Sequence, residues 1–466
     1  MSWHADPTQF QASIDSLNAY LSPSVLRKYQ ADILDSGRFD LTSPLTGIRV
    51  SVTRSVLFSE NIAYFVPDGA GAWLIAGFIE RGFPLYEVIL QADGTRHRVA
   101  PIFKWKHKEL ADTDAEWLLA NGARLTTFAA PEPVALIIGH THFAHHAWNE
   151  LPALDKWLQM ASTNRLSKLL IISTSQPMGP LRDLFQVLSD TRIVTMDPAT
   201  LQRWSDATIS VRLGSRLVTE SIREKVRNFC QHNANGFSSH RSRSALSTAW
   251  PRIWVSVRLE SRTPDNMEEF LLTAFAKISQ TYPESMFLLN GYSFPYGFDS
   301  NKDQHRKNAK ARAQARSADE YINSLRQAAL RRFGSDLATK IHNISSLSLT
   351  DAIRFGEFVD YYICHAGALQ HMVAWFHDVP GFVHSPRMEG KDSSYNFDAV
   401  EAGIIPDIVP SNLVARSDLA TRREGRRNAN YTFLDVEETA TLVVSLMRKR
   451  LGAIRQNRNG GADVPP

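Results

Sequence analysis

The densest group of chemically versatile side chains lies in residues 139–152, which read Gly-His-Thr-His-Phe-Ala-His-His-Ala-Trp-Asn-Glu-Leu-Pro. Four histidines fall within seven of these residues. Neutral imidazole can take up a proton near pH 7, so this cluster favours general base catalysis. The segment follows an apolar run and enters a helical pattern. It is therefore predicted at the carboxyl edge of a parallel sheet, where ligands bind in open α/β folds.

Other interpretations of this cluster stay open. Single histidines could cap the helix or pack against Trp148 and Trp157. His142, His146 and Glu150 fall at i, i+4 and i+8, so a continuous helix would place them on one face, where they could hold a metal ion for hydrolysis. Gly-His-Thr-His also occurs in calcineurin-like metallophosphoesterases, but the chain has no Gly-Asp or Asn-His-Glu block to complete such a site.

A second group consists of Arg258 and Arg262, which lie in a predicted loop between a strand and a helix. Two arginines four residues apart in such a loop can clamp a diphosphate, because guanidinium donors match phosphate oxygens in pairs. The alternative is an ordinary solvated loop with surface arginines.

A third group lies in residues 360–372, Asp-Tyr-Tyr-Ile-Cys-His-Ala-Gly-Ala-Leu-Gln-His-Met. A strand is predicted to run into a turn of small residues and then into a helix. Small residues let a ligand approach the backbone, and exposed amides at a helix start attract anions. Close packing of the backbone is the alternative. A basic segment farther back is better explained as a solvated loop and helix face; it contains Lys302, Arg306, Lys307, Lys310, Arg312 and Arg316.

Short apolar runs alternate with helical patterns after residue 111, which is typical of parallel sheets covered on both faces. The main predicted strands are Val134–Gly139, Lys168–Ser173, Thr191–Met196, Arg252–Val257, Met286–Asn290, Tyr361–Cys364 and Gly381–Val383. The main predicted helices are Ala144–Met160, Met178–Leu188, Asp265–Gln280, Ala318–Phe333, Leu349–Phe358, Ala366–His377 and Val436–Leu451. The expected fold class is α/β, with two Rossmann-like domains facing each other across a cleft.

Domain limits follow from changes in this pattern. Residues 1–110 are predicted to form a helical and β-rich appendage, because alternating strands and turn signals dominate from Gly47 onward. A polar, turn-rich break covers residues 233–244. The predicted Rossmann-like domains therefore span 111–235 and 250–435. Residues 436–466 form a C-terminal helix and tail.

Composition excludes several classes of protein. The chain has 466 residues, of which 43% are hydrophobic and 21% charged, so global disorder is excluded. A net charge of +4 does not indicate a nucleic-acid binder. Two cysteines cannot build a disulfide framework or a multi-cysteine zinc site. No secretory signal or apolar run of membrane-spanning length is visible. We expect a cytoplasmic protein, with a peripheral membrane contact left open.

Two blocks of this sequence resemble glycosyltransferase family 61. The family has a segment similar to Asn-Tyr-Phe-His-Trp-x-x-x-x-Leu-Pro-Arg-Leu, whose histidine, Leu-Pro and last leucine are matched in residues 142–154. Its second block is similar to Leu-Ser-Phe-x-Glu-Gln-Ile followed by His-Gly-Ala-Gly-Leu-Thr-Asn-Met; residues 347–353 and 365–372 match its order and spacing. Here Ala-Gly-Ala replaces Gly-Ala-Gly, His371 replaces the asparagine and Ala153 replaces the arginine.

The resemblance implies a GT-B fold and transfer of a sugar from a nucleotide-activated donor to a hydroxyl of a glycan or glycoconjugate. It places the acceptor on the domain 111–235 and the donor on the domain 250–435. It suggests an inverting, metal-independent enzyme of surface-polysaccharide or glycoprotein assembly, with no cofactor beyond the nucleotide-sugar substrate. His145 is predicted as the general base, oriented or tuned by His142 and Glu150. Donor binding is assigned to Arg258, Arg262, His365, Gly367, Ala368, Gln370 and His371. A non-catalytic nucleotide- or glycan-binding module is the alternative, since the glycine motif is altered.

Overall fold

The computed structural model describes residues 7–22, 24–43, 46–58, 61–67, 72–77, 84–90, 96–98, 117, 134–201, 209–233, 246–260, 262–298, 305–385, 399–416 and 430–460. Residues 234–244 of the predicted break and Lys302 of the basic segment lie outside these ranges. The chain divides into two compact units, Met1–Ile222 and Arg223–Pro466. In the described part of the chain, no helix combines the length and the apolarity needed to cross a membrane.

Unit 1 begins with two helices and short antiparallel strands. The helices are α1 (Pro7–Asn18) and α2 (Lys28–Ser36). The strands are β1 (Tyr20–Ser22), β2 (Leu26–Arg27), β3 (Phe39–Thr42), β4 (Arg49–Val52), β5 (Ser55–Phe58), β6 (Asn61–Val66), β7 (Ala72–Gly77), β8 (Pro84–Leu90) and β9 (Arg96–Arg98). Strands β5 to β9 form one antiparallel sheet in chain order. The rings of Tyr29, Phe39 and Tyr64 pack edge to face beneath it.

The rest of unit 1 is a parallel α/β sheet. Its strands are β10 (Val134–Ile138), β11 (Leu169–Ser173), β12 (Arg192–Thr195) and β13 (Ser210–Arg212), in the order β12-β11-β10-β13. All three pairings are parallel. The helices are α3 (Phe143–His145), α4 (Leu151–Leu158), α5 (Thr163–Leu166), α6 (Leu181–Leu184) and α7 (Pro198–Leu201), with a 3-10 turn at Gln186–Leu188. Strand β10 is apolar and β11 is apolar up to its last residue, Ser173, which is typical of a sheet covered on both faces.

The predicted helix Ala144–Met160 is not continuous. A π-helical turn, His146–Glu150, separates α3 from α4. Such turns are frequent at functional sites. The predicted helix Met178–Leu188 is likewise reduced to α6 and the short 3-10 turn.

The appendage satisfies the polar backbone of β13, the edge strand. The Tyr64 hydroxyl donates to the carbonyl of Ser210, whose amide donates to Oγ of Ser55. The Gln30 side chain donates to the carbonyl of Arg212. Buried backbone groups need such partners, so the N-terminal elements complete the parallel sheet of unit 1.

Unit 2 holds a larger parallel sheet. Its strands are β14 (Arg252–Ser256), β15 (Met286–Asn290), β16 (Ser293–Phe294), β17 (Ile341–Asn343), β18 (Leu347–Ser348), β19 (Tyr361–His365), β20 (Gly381–His384), β21 (Asp407–Ile408), β22 (Val414–Arg416) and β23 (Tyr431–Phe433). Six of them form one sheet in the order β17-β15-β14-β19-β20-β21, with every pairing parallel. Numbered along the chain, this is the Rossmann order 3-2-1-4-5-6.

The helices from residue 220 onward are α8 (Glu220–Asn233), α9 (Met267–Thr281), α10 (His305–Phe333), α11 (Ser335–Thr339), α12 (Leu349–Gly356), α13 (Ala368–Ala374) and α14 (Val436–Gly460), with a 3-10 turn at Ser411–Leu413. Residues of α9 and α14 share one buried core with the strands. Phe275 stacks on Phe287 at 4.0 Å between ring centroids. The helix predicted at the C-terminus therefore extends to Gly460 and its apolar face belongs to the core of unit 2.

Candidate functional site

The histidine loop, residues 139–145, begins where β10 ends. In the sheet of unit 1, β10 lies between β11 and β13, so strand order reverses at this point. Gly139 has φ 109°, and a Cβ built there would lie 2.4 Å from the backbone nitrogen and oxygen of Ser175. Only glycine fits such a position. The tight turn that results carries His140 and His142 over the carboxyl edge of the sheet.

Glu150 anchors this loop from inside unit 1. Its Oε2 accepts hydrogen bonds from the amides of Gly139 and His140, each at 2.9 Å, and from Nδ1 of His146 at 2.6 Å. Its Oε1 forms a buried ion pair with Arg212 of β13. Burial alone would raise the pKa of the Glu150 carboxyl, but Arg212 and then His146 outweigh it and hold that pKa well below its usual range.

His145 is oriented by Asn149, not by Glu150 as expected. The Asn149 amide nitrogen donates to the carbonyl of Ser215 at 2.7 Å, so its Oδ1 is the atom that faces Nδ1 of His145 at 3.0 Å. Because that oxygen only accepts, Nδ1 of His145 carries the proton. The lone pair of the neutral ring therefore lies on Nε2, which is the arrangement a general base needs.

His140 has the opposite tautomer. Its Nδ1 accepts the backbone N–H of His142 at 2.9 Å, so the proton of the neutral ring lies on Nε2. Its ring centroid is 4.6 Å from that of His145. Burial lowers the pKa of His140 to about 3, and the neighbouring His145 adds to the shift. His140 is therefore a neutral hydrogen-bond donor over the ordinary pH range.

The alternative metal site on His142, His146 and Glu150 does not form. His142 has an extended backbone before the start of α3, and its exposed ring stacks on Phe143. It is therefore not on the helical face that carries His146. Glu150 is occupied by Arg212 and backbone amides. Among the residues that the structure describes, no group of three or more His, Cys, Asp or Glu side chains is placed to hold a metal ion.

The second group of predicted residues lies in unit 2, where strand order reverses between β14 and β19. Ser256 ends β14 and His365 ends β19, and Ser256 Oγ lies 2.7 Å from Nδ1 of His365. The Ser256 oxygen also accepts the backbone N–H of His365 at 3.0 Å. The two strand ends, and the loops that follow them, are thereby held together.

The guanidinium groups of Arg258 and Arg262 both lie close to Gly367, which follows β19. Gly367 has φ 136°, and the point where its Cβ would lie is 3.2 Å from Nη1 of Arg258 and 3.6 Å from Nη1 of Arg262. Burial, and after it the Arg262 charge, lower the pKa of Arg258 to about 10. Nη1 of Arg262 donates to the carbonyl of Ala366 at 3.4 Å. The loop after β14 thus places two guanidinium cations beside the backbone of Gly367, which has no side chain.

The loop that carries Arg258 and Arg262 is held in place by hydrogen bonds to Asn430 and to β23. The amide of Tyr431 donates to the carbonyl of Thr263, and Asn430 Oδ1 accepts the Thr263 amide at 3.1 Å. The Tyr431 hydroxyl in turn contacts Nδ1 of His384, at the end of β20. Burial lowers the pKa of His384 to about 3.

Three of the predicted donor-binding side chains, those of His365, Gln370 and His371, are buried. His365 is 1% exposed, below the two arginines, and burial lowers its pKa well below the ordinary value, with further lowering by Arg258. Gln370 is buried and donates to the Tyr362 hydroxyl at 3.3 Å. His371 stacks on Trp375 at 3.8 Å. Gly367 and Ala368 are half-exposed at the start of α13.

Several residues of these networks were not predicted from the sequence: Asn149, Arg212, Ser215, Ser256, His384 and Tyr431. Asn149 had a signal, since it lies four residues after His145 in a helical segment, where side chains meet. Arg212 and Ser215 had none, because Arg212 ends a strand of only three residues, Ser210–Arg212, and Ser215 follows it.

No protein-family model matches the chain, and no curated protein matches it in sequence. A putative UDP-N-acetylglucosamine 2-epimerase from Listeria monocytogenes resembles it in structure with a TM-score of 0.26 and 11% identity, over 63% of this chain and 65% of that chain, less than two thirds of its length. A glycosyl transferase family 9 structure from Veillonella parvula has a TM-score of 0.30 and 10% identity, over 69% and 98%. The Glycosylation Associate Protein (Gap123) complex from Streptococcus agalactiae has a TM-score of 0.25 and 12% identity, over 90% and 79%. Likeness at these values says nothing about activity.

Proposed function

We propose that the chain is a glycosyltransferase that moves a sugar from a nucleotide-activated donor to a hydroxyl of a glycan or glycoconjugate. The observation that carries the proposal is the meeting of Arg258 and Arg262 over Gly367, where strand order reverses in the sheet of unit 2. Open α/β sheets bind ligands at such points. Paired guanidinium groups match the oxygens of a diphosphate. The two sequence blocks that resemble family 61 support the same class.

The charge at this place favours an anion. Burial and the Arg262 charge both lower the pKa of Arg258, which means that both disfavour its positive charge. A bound anion relieves this electrostatic cost. A nucleoside diphosphate is suited to the position, because it gains negative charge as it leaves the sugar, and fixed cations stabilise developing charge most.

His145 is the proposed general base. Its Nδ1–H is held by Asn149, so Nε2 offers the lone pair. A positioned base typically contributes about 10²–10⁴-fold in rate. Glu150 then acts through the loop and not through the His145 ring, because its carboxylate holds the amides of Gly139 and His140.

In the proposed reaction, the acceptor hydroxyl gives its proton to Nε2 of His145 while its oxygen forms a bond to the anomeric carbon of the donor. The bond from that carbon to the phosphate oxygen breaks, and the nucleoside diphosphate leaves with the electron pair. Attack from the face opposite the leaving group inverts the anomeric centre. Arg258 and Arg262 neutralise the departing charge.

Calorimetric titration of the full chain with UDP, GDP, dTDP, ADP and CDP, and with the matching monophosphates, tests the donor assignment. At least one diphosphate should bind, and about tenfold more tightly than its monophosphate, since charged hydrogen bonds to the second phosphate are worth about 1.5 kcal/mol or more. Arg258→Ala should remove about tenfold of that affinity. Arg331→Ala is the matched control, because Arg331 is exposed on α10 of the same unit.

The variant His145→Ala distinguishes general base catalysis from donor binding. It should leave diphosphate affinity unchanged and abolish transfer from the corresponding nucleotide sugar. Absence of binding by all five diphosphates, or equal affinities of Arg258→Ala and Arg331→Ala, would falsify the donor assignment. Full transfer by His145→Ala would refute the assignment of the base.

A further inference from the structure

We propose that a row of three aromatic rings in unit 2, those of Tyr292, Phe294 and Phe298, stacks on the base of the nucleoside diphosphate. The inference rests on the proposed function, because it concerns a second part of the same donor. Residues 291–298 read Gly-Tyr-Ser-Phe-Pro-Tyr-Gly-Phe, with an aromatic residue at every second position. This loop has no part in the histidine loop or in the pair of arginines.

The aromatic row begins beside the loop that follows β14. In the sheet of unit 2, β14 and β15 are neighbouring parallel strands, and Ser256 pairs with Asn290 at their carboxyl ends. The amide of Val257 donates to the carbonyl of Asn290 at 2.8 Å. Arg258 and Tyr292 are each the second residue beyond this pair. Because paired strands lie about 4.8 Å apart, the two residues leave neighbouring points of the same sheet edge.

The row runs from this loop to helix α10. At one end, burial raises the pKa of the Tyr292 hydroxyl and the charge of Glu260, in the loop after β14, raises it further. At the other end, the guanidinium carbon of Arg312 lies 5.1 Å from the centroid of the Phe298 ring. The Glu260 carboxylate also accepts a hydrogen bond from Gln314. The loop after β14, the row and α10 are therefore parts of one surface of unit 2.

The rings are held in place before any ligand arrives. Tyr292 and Phe294 pack edge to face at 5.3 Å between centroids, and Phe294 and Phe298 lie 4.4 Å apart. The amide of Tyr292 donates to Oγ of Ser345 at 3.1 Å, and Phe294 pairs with Ser348 of β18. All three rings are only half-buried. A fixed aromatic surface that keeps contact with solvent costs little ordering when a ligand binds.

The chemistry of this surface favours a base as its occupant. A nucleoside diphosphate is anionic at one end and carries a flat heterocycle at the other. The loop after β14 and the row beside it present cations and then apolar rings, in the same order. Bases of every kind stack on aromatic side chains, because each has a π face. A nucleobase therefore matches the rings while its diphosphate matches Arg258 and Arg262.

Calorimetry on the full chain tests the assignment with three probes. They are the tightest-binding of the five nucleoside diphosphates, the matching nucleotide sugar, and inorganic pyrophosphate, which has no base. Tyr292→Leu should weaken the nucleoside diphosphate about fivefold or more, which corresponds to about 1 kcal/mol, the lower end for stacking of one base. It should leave pyrophosphate affinity unchanged, which also shows that the variant is folded. Arg258→Ala should weaken both ligands.

Two further variants complete the comparison. Tyr292→Phe keeps the ring and should bind the nucleoside diphosphate like the unaltered chain. Phe333→Leu is the matched control, because Phe333 is 42% exposed at the far end of α10, under the guanidinium of Arg332; it should weaken neither ligand. In proton NMR, the base signals of the nucleoside diphosphate should move upfield on binding, since they lie over ring faces, and Tyr292→Leu should reduce that shift.

Four results would overturn the inference. They are unchanged nucleoside diphosphate affinity in Tyr292→Leu, an equal loss of pyrophosphate affinity in that variant, an equal loss in Tyr292→Phe, and a loss confined to the nucleotide sugar, which would place the transferred sugar on the rings. Absence of binding by every diphosphate, pyrophosphate included, would count against the proposed function as well. Diphosphate binding that depends on Arg258 and not on Tyr292 would count against the base assignment alone.

Discussion

Asn149 Oδ1 accepts the Nδ1–H of His145 at 3.0 Å, and the amide group of Asn149 is itself fixed by the carbonyl of Ser215 at 2.7 Å. Ser215 lies just after β13, and His145 ends the helical turn that follows β10. The protonation pattern of the predicted base is therefore set by the two adjacent strands between which strand order reverses in unit 1.

Asn149→Ala should lower kcat for sugar transfer by at least tenfold, because His145 then loses its preferred tautomer and orientation. Diphosphate affinity should not change. Asn149→Asp should retain most of the activity, since its carboxylate still accepts the Nδ1–H. Steady-state kinetics measures kcat, and calorimetry measures the diphosphate affinity. The control is Asn164→Ala, at an exposed position of the same unit; equal kcat for the two alanine variants would contradict a positioning role.

Arg212→Met should destabilise unit 1 by about 3–5 kcal/mol, because it leaves the buried carboxylate of Glu150 without its cation. Urea unfolding followed by tryptophan fluorescence measures the loss. Arg192→Met is the comparison, since Arg192 is exposed on β12; it should change stability by less than about 0.5 kcal/mol. Similar stabilities of the two variants would mean that the ion pair does not hold the strand and the histidine loop together.

His384 makes the stability of unit 2 depend on pH. Its pKa is lowered from 6.5 to about 3 by burial, so below pH 6.5 the unfolded chain binds a proton that the folded chain does not. Stability is therefore complete above pH 6.5 and falls as the pH drops toward 3, by about 1.4 kcal/mol per pH unit for this group. His384→Asn, which retains an acceptor for the Tyr431 hydroxyl, should remove that part of the slope.

Urea titrations at pH 7, 6 and 5 measure the difference between the two slopes. His232→Asn serves as the control because His232 is exposed on α8. Parallel curves for the unaltered chain and His384→Asn would show that His384 does not remain neutral in the folded state.

Gly367→Ala should weaken diphosphate binding by about tenfold. A Cβ there would lie 3.2 Å from Nη1 of Arg258, and φ 136° is strained for any residue with a side chain. Gly452→Ala is the matched control: its added Cβ meets nothing within 4 Å on α14, where alanine favours the helix by about 0.5–1 kcal/mol. Calorimetry should therefore give a lower diphosphate affinity for Gly367→Ala than for Gly452→Ala. Unaltered affinity in Gly367→Ala would show that the backbone of this loop is not part of the binding site.

The sequence predicted the sheet-forming segments well where apolar runs were continuous. Met286–Asn290 was predicted with the observed limits, and Val134–Gly139 and Lys168–Ser173 within one residue. Such runs are buried on both faces, so composition alone identifies them. The three-residue strand Ser210–Arg212 was missed because an arginine is not expected in a buried strand; its carboxylate partner, Glu150, lies 62 residues away in the chain.

The order of residues alone is enough to identify the chemical groups at the carboxyl ends of the strands: the histidines after Val134–Ile138, the arginines after Arg252–Ser256 and the small residues after Tyr361–His365. These are local matters, fixed by which residue follows which. The folded chain was needed to establish the strand order that brings Arg258 and Arg262 to Gly367, and the hydrogen-bond partners that give His140 and His145 opposite tautomers. The strand order depends on pairing between segments far apart in the chain. The tautomer of His145 depends on Asn149, whose amide is fixed by the carbonyl of Ser215, 66 residues farther along the chain, so spacing in the sequence does not reveal it.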